Sequence, residues 1–438
     1  MKLKLSLILL FLSSTHLFSA EKDLDVDVVT SKKNLNLLES MLKESSETPQ
    51  KEKSDSLKNP GFTMPAPQAR FIGTSLVLQA AAGASSATDT ELTELQTGFH
   101  DPRRRGFTFQ AGEFSLSGAV DPYFKAEMHA NFSESAVELE EAFMTTTNLP
   151  ASLELEIGYF LTEFGRNNPR HGHDKAFIDQ SLTVGRFFGG EGQRGSGFRL
   201  SGLIPASWLS EWHIGLQNTN GGLTPSFEST GTTTVGGRPV VAGETRSFAD
   251  MIALVRLVNG FTVSRHWETQ FGLSALLGPN STGAEGETQI LGADLVLNWT
   301  SPKQYKGAPY FKLELEATQR NFEAAAGTSN GQVYESEDLK DWAYLVEAIY
   351  GFTPSWSTGL RYEQAGGKGA SFSQLRSADP DRSDRTRISP IVTYKPSEFS
   401  RVSLQYNYDK VDHLTDKTHN SVWLSFQVLI GTHPAHQF

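Results

Sequence analysis

His171 and His173 stand one residue apart and Asp174 follows, a polar run whose imidazoles and carboxylate suit a divalent metal such as zinc. His433 and His436 near the carboxyl terminus form a second pair. Neither set has the closed tetrahedral spacing of a structural zinc site, so weak divalent binding and no resident cofactor are expected. The surrounding stretch, 162–196, is rich in charge: Arg166, Arg170, Lys175, Arg186 and Arg194 lie among Glu163, Asp174, Asp179 and Glu191. Charge gathered at a constriction selects the sign of a permeating ion. The stretch also holds Phe177, Ile178, Leu182, Val184, Phe187 and Phe188, which a loop wholly in water does not need. They predict a loop folded back onto an inner wall. Nothing points to an enzyme, because there is no cysteine, no supported serine–histidine pairing and no nucleophile elbow.

Such a loop needs a wall, and alternation along the chain supplies one. Phe311, Leu313 and Leu315 oppose Lys312, Glu314 and Glu316. Val402, Leu404, Tyr406 and Tyr408 oppose Ser403, Gln405, Asn407 and Asp409. Val422, Leu424, Phe426 and Val428 oppose Ser421, Ser425 and Gln427. About sixteen such segments are expected: 73–81, 107–120, 123–132, 136–146, 152–161, 197–203, 209–217, 248–258, 266–277, 288–300, 309–319, 342–352, 357–363, 386–394, 401–408 and 420–430. Tight turns are expected at Asp121–Pro122, Asn148–Pro150, Pro205–Ala206, Asn259–Gly260, Pro354 and Lys395–Ser397. Between them lie long links at 82–106, 162–196, 218–247, 320–341 and 364–385, with shorter ones at 133–135, 278–287 and 409–419. Alternating short and long connections belong to an all-β fold: a closed antiparallel transmembrane barrel with short periplasmic turns and long extracellular loops. The stretch 162–196 is then the third long loop by strand order, folded into the lumen.

Glutamate facing lipid is costly, so the polar faces are assigned to the lumen. Lys125, Glu127 and His129 share one strand, Glu138 and Glu140 the next, and Glu154 and Glu156 the one after. Glu314, Glu316 and Glu347 lie on the far side. An acidic wall opposite a basic loop predicts a transverse field across a pore. Arg103, Arg104 and Arg105 precede the second strand, at an expected extracellular rim.

The bulk properties agree. Beyond the first twenty residues no run is long and apolar enough for a spanning helix, and the mean hydropathy is −0.34. A barrel keeps such a mean because lipid-facing and lumen-facing residues alternate. The 39 glycines and 28 phenylalanines suit turns and aromatic girdles, and a formal charge of −11 argues against nucleic acid as a partner. Residues 1–20 read as a secretory signal, with Lys2 and Lys4 ahead of an apolar run from Leu5 to Leu12. Residues 21–65 read as a charged periplasmic leader whose Leu35, Leu38 and Leu42 predict one short helix, and 66–438 as the barrel.

Several segments carry a family resemblance. They are Gly106 to Ala119, Val120 to Phe124, Val137 to Phe143, Leu149–Pro150, Gly158 to Phe160, Phe164 to Asn167, His171 to His173, Phe187 to Gly190 and the ending Gly431 to Phe438. Together they resemble a family of bacterial outer-membrane porins often labelled zinc-regulated outer-membrane receptors. Gly158, Phe160, Phe164 and Gly165 are also similar to a stretch of phosphate-selective porins. The resemblance implies a single barrel, an outer-membrane location and a link to zinc supply.

The function expected is therefore a porin for passive diffusion of small hydrophilic solutes or ions. The alternatives are an outer-membrane receptor for zinc or a metal chelate, and a non-conducting surface protein. The expected partners are outer-membrane lipids, further copies in a homo-trimer, and the barrel assembly machinery through the carboxyl-terminal strand ending in Phe438.

Overall fold

Period-two alternation gives each strand one apolar and one polar face, and closing the sheet on itself lets each face meet its own surroundings. The computed structural model describes residues 72–219, 226–227, 234–235, 238–241, 245–329, 332–368, 377 and 379–431. In it sixteen strands pair antiparallel in chain order, and the last returns to the first to form a closed barrel. They are β1 (Ile72–Ser85), β2 (Gly106–Ala119), β3 (Phe124–Phe132), β4 (Val137–Thr146), β5 (Leu153–Leu161), β6 (Arg194–Leu203), β7 (Leu209–Gln217) and β8 (Ile252–Ser264). The chain continues through β9 (Trp267–Pro279), β10 (Glu287–Tyr305), β11 (Ala308–Ala324), β12 (Glu337–Gly351), β13 (Trp356–Lys368), β14 (Arg385–Ser397), β15 (Ser400–Val411) and β16 (Thr418–Gly431). The seam registers Ser75 with Gly431 and Ser85 with Ser421. The expected leader, Phe438, His433 and His436 lie outside the described residues.

Leu116, Leu139, Met144, Ile157, Leu273, Leu360, Leu404 and Phe426 stand exposed on the outside, an apolar band of the kind a barrel presents to lipid. Aromatic pairs ring the short-turn end. Trp208 stacks on Phe261 at 5.8 Å, Trp267 meets Trp299 at 6.4 Å, and Trp356 meets Tyr394 at 4.6 Å.

Two turns fall later than the sequence predicts. β8 runs through Asn259 and Gly260 to Ser264, because Phe261 and Val263 continue the outward alternation and Trp208 covers Phe261. β14 runs through Lys395 to Ser397, which pairs with Ser400 across the turn at Glu398–Phe399. β8 also starts later than expected, at Ile252, because Ser247 and Asp250 form a capping box over a short 3-10 turn at Phe248–Asp250.

The long-loop end fills much of its own interior. Loop L1 (86–105) carries helix α1 (Asp89–Leu95), started by a capping box between Thr88 and Glu91. Its Leu92 and Leu95 pack against Val411, Leu414 and Trp423. Arg385 and Arg387 each donate to the carbonyl oxygen of Leu95 at 2.7 Å, satisfying an acceptor at the helix end. Trp423 projects inward from β16, wholly buried, and Gly83 opposite it on β1 leaves it room. A Cβ on Gly83 would meet Trp423 Cε3 and the Val422 carbonyl oxygen at 2.2 Å. Gly83→Val is expected to displace the indole and destabilise the barrel by about 1–3 kcal/mol. Thermal unfolding in detergent, followed by the heat-induced gel shift of barrels, measures this. An unchanged midpoint would contradict it.

Candidate functional site

Loop L3 (162–193) enters the barrel and touches the wall at sites of opposite charge. Gly165, at φ +60, makes the inward turn, with Glu316 about where a side chain would begin, 3.0 Å from a Cβ. Its N–H donates to Ser274 Oγ at 3.1 Å. The next amides, of Arg166 and Asn167, donate to Glu316 Oε2 at 2.7 and 3.0 Å. Arg170 then grips Glu314 with both terminal nitrogens, each at 2.8 Å, and Arg166 Nε lies 3.4 Å from the same carboxylate.

The loop next crosses to β2–β4. His173 Nδ1 lies 2.8 Å from Glu113 Oε2, and His171 Nε2 lies 2.7 Å from Glu141 Oε2. His171 Nδ1 also faces Glu113 Oε1 at 3.3 Å and Glu140 Oε2 at 3.4 Å. His129, on β3, sits with its ring 4.6 Å from that of His171. Burial opposes charge on His171, but Glu113 and Glu140 outweigh it and hold its pKa well above the usual imidazole range.

A further contact lies on β13–β15. Asp179 pairs with Arg361 Nη2 and accepts from Arg387 Nη1 at 3.2 Å, Gln405 Nε2 at 2.8 Å and Asn407 Nδ2 at 2.6 Å. Burial pushes its carboxyl up, but Arg361 and Arg387 overcome this and bring its pKa down to about 2. Helix α2 (Leu182–Phe188) follows, capped by Ser181, and its first N–H donates to Glu363 Oε1 at 2.6 Å. Leu182, Val184, Phe187 and Phe188 pack with Phe164 on inward-facing Ile252, Leu254, Leu276 and Ile290. The apolar residues of the loop therefore have a dry patch of inner wall to cover.

The other predicted residues fall into place around this path. Glu163 and Glu156 both bind Arg199 of β6, at 2.7 and 3.0 Å. Lys175 Nζ donates to Gln180 Oε1 within the loop, and Arg186 donates to the carbonyl oxygen of Arg382 at 3.3 Å. Glu347 stands 4.0 Å from Arg361. Lys125 and Glu127 pair at 3.6 Å, and Glu154 shares the inward face of β5 with Glu156. Asp174 lies 3.2 Å from His173 Nε2. At the rim Arg103 covers the Phe99 ring at 4.9 Å, Arg104 pairs with Glu134 at 2.6 Å and Arg105 with Asp89 at 2.9 Å. His100 of L1 meets Glu191 of L3 at 3.4 Å; burial lowers its pKa, but Glu191 raises it further, to about 9.

Two expectations need correction. Arg194 is not a loop residue: it opens β6, pairs with Glu138 and lies over the Tyr159 ring, because the strand pairing of β5 and β6 extends to it. Nor is the loop a basic face set against an acidic wall. It carries both signs, and its charges meet wall groups of opposite sign, arginines on Glu314 and an aspartate on Arg361 and Arg387. Burial enforces this, since an unpaired charge inside the barrel is strongly disfavoured.

Asp409 falls on the polar face that alternation assigns to its strand, whereas Glu113, Glu141, Arg361 and Arg387 were not singled out from sequence. Alternation could have found three of them, as Glu113 opposes Phe114, Arg361 opposes Leu360 and Arg387 opposes Ile388. Glu141 needed more. His129 pairs with Glu141 and Ala130 with Leu139, so Glu140 is a bulge residue and both glutamates are buried on the inner side.

No family model matches the chain. It is 25% identical over 390 residues to an uncharacterized protein of Aquifex aeolicus (strain VF5), covering 83% of this chain and 79% of that one. Its structure is similar to that of the outer membrane channel DcaP of Acinetobacter baumannii, with a TM-score of 0.54 at 10% identity over 84% of this chain and 99% of that one. The two share the fold of a closed antiparallel β-barrel. OmpT of Vibrio cholerae follows with a TM-score of 0.49 at 10% identity, covering 84% and 99% of the two chains.

Proposed function

We propose that this protein is a non-enzymatic outer-membrane channel through which small hydrophilic solutes or ions diffuse passively. The observation that carries the reading is the division of faces: apolar outside, charged and hydrogen-bonded inside, in the same strands. A polar lumen replaces part of a solute's hydration, and L3, clamped to the wall by ion pairs, sets a fixed narrow zone with Arg166, Arg170 and Glu314 on one flank. Residues 1–20 direct export and 21–65 form a periplasmic leader. The carboxyl-terminal strand and the residues that follow it engage the assembly machinery, outer-membrane lipids cover the apolar band, and copies associate as trimers. A receptor for a metal or its chelate is the second reading, favoured by the convergence of His171 and His173 on Glu113.

The mature chain, folded into a planar bilayer under a potassium chloride gradient, is expected to give discrete conductance steps. A demonstrably folded barrel that stays silent overturns the channel.

A further inference from the structure

The contact of L3 with β2–β4 does not look like a finished hydrogen-bond network. His171 Nδ1 and Glu140 Oε2 are buried and neither makes a hydrogen bond. They face each other at 3.4 Å, and His171 Nδ1 is 3.3 Å from Glu113 Oε1, while His129 Nδ1 is 3.5 Å from that same oxygen. These separations are long for charge-assisted hydrogen bonds, which run to about 2.7–2.9 Å. They match another geometry. Donors bound at about 2.0–2.1 Å to one tetrahedral ion stand roughly 3.3–3.4 Å from each other.

We propose that Glu113, His129 and His171, whose donor atoms lie within 4.8 Å of one another, form with the adjacent carboxylate of Glu140 a binding site for a first-row divalent cation of the zinc class, joining L3 to the barrel wall. The surroundings are built for this. The second nitrogen of His171, Nε2, lies 2.7 Å from Glu141 Oε2, so Nε2–H donates to that carboxylate and, once Nδ1 gives up its proton to an incoming ion, the Nδ1 lone pair faces the cluster. A histidine oriented by a carboxylate behind it is the usual support of a metal-bound imidazole. Ser115 Oγ now contacts His129 Nδ1 at 2.9 Å and has Glu113 Oε1 as a second acceptor at 3.4 Å, so its hydroxyl can turn away when the imidazole ligates. His173 holds the other oxygen of Glu113 at 2.8 Å, which leaves Oε1 for the ion. Two carboxylates, two neutral imidazoles and a dication sum to zero charge, the cheapest state for a group this deeply buried. The ligands come from β2, β3, β4 and L3, so the ion would tie the loop to strands that β-sheet pairing already holds rigid.

This site rests on the channel reading only in its place on the loop that narrows the lumen; binding itself is independent of conduction. The test titrates the folded full barrel with Co2+, read by visible absorption, and with Zn2+, read by calorimetry and by displacement of the cobalt signal. One site with the intense absorption of tetrahedral cobalt is expected. His171→Ala and Glu113→Gln should each weaken it by roughly 100-fold or more, and Glu141→Gln, which only orients His171, by roughly 10–100-fold. His266→Ala, in a short turn at the other end, should leave it unchanged. Gel mobility before and after heating verifies folding, and His129→Gln replaces any variant that does not fold. No cobalt signal from the folded wild type overturns the site, as does a signal that survives both His171→Ala and Glu113→Gln, which would place the ion elsewhere. Conductance of the same preparation in chelator is recorded alongside. A conducting barrel that binds no metal loses this site and keeps the channel, and a silent barrel that binds one does the reverse.

Discussion

Asp179→Ala is expected to release L3 from β13–β15 and produce a larger, noisier open current than the wild type. Asp179 is 1% exposed, and its carboxylate pairs with Arg361 and Arg387 while accepting from Gln405 and Asn407. Removing it leaves two guanidinium groups facing each other with less compensation, although Glu363 and Asp409 still hold one each, at 2.9 and 2.7 Å. Breaking a buried pair by deleting one partner costs about 3–5 kcal/mol. The barrel ladder contains none of these side-chain bonds, so the loss falls on loop docking. It shifts that equilibrium by a factor of roughly 10²–10⁴. The apolar contacts of α2 stay in place, so the loop is expected to detach on the Asp179 side while α2 holds. Protease nicking between Lys175 and Gln180 in the otherwise intact barrel should appear together with the larger current. Asp179→Asn keeps an acceptor for the neighbouring amides and should fall between the two. An Asp179→Ala channel with wild-type current and wild-type protease resistance would show that L3 is held by packing alone.

The barrel was legible in the sequence because alternation needs no knowledge of what lies opposite. A strand such as Val402 to Tyr408 shows its two faces by itself, the alternating segments add up to the strand count, and the order of short and long connections marks the third loop. Errors arose where local signals competed. Asn259–Gly260 has turn chemistry, yet Phe261 and Val263 reward four more residues of strand. The site was half legible. L3 could be identified by its mixture of charge and apolar side chains, but its contacts could not, because periodicity does not say which distant strand lies opposite: Arg166 meets Glu316, separated by 150 positions, and Asp179 meets Arg387, by 208. The inward fold of L1 was not foreseen. Its cue is Trp423, an aromatic on the lumen face of β16 that only an apolar partner inside the barrel explains, and Leu92 and Leu95 are that partner.

Glu314→Gln should change which ions pass. Its carboxylate takes both terminal nitrogens of Arg170, has Arg166 Nε at 3.4 Å and lies 3.6 Å from Lys312 Nζ, so one negative charge serves three cations. Glutamine keeps the volume and an acceptor oxygen but removes that charge, leaving the flank of the loop cationic. At an effective dielectric of about 20, one unit charge acts on an ion about 8 Å away with about 2 kcal/mol. The chloride-to-potassium permeability ratio should therefore rise by roughly tenfold or more in dilute salt, and by less at high ionic strength, where the Debye length falls to about 3 Å. Reversal potentials under a potassium chloride gradient at two mean concentrations read both effects. Glu316→Gln is the informative contrast. Glu316 is bound to the amides of Arg166 and Asn167 and to Asn167 Nδ2, so it shapes the turn without neutralising the arginines. That variant should loosen the loop and raise current noise while moving the reversal potential much less. Equal shifts from the two variants would mean that permeating ions sense the summed charge of this wall. A shift from Glu314→Gln alone would place the arginines, uncovered, beside their path.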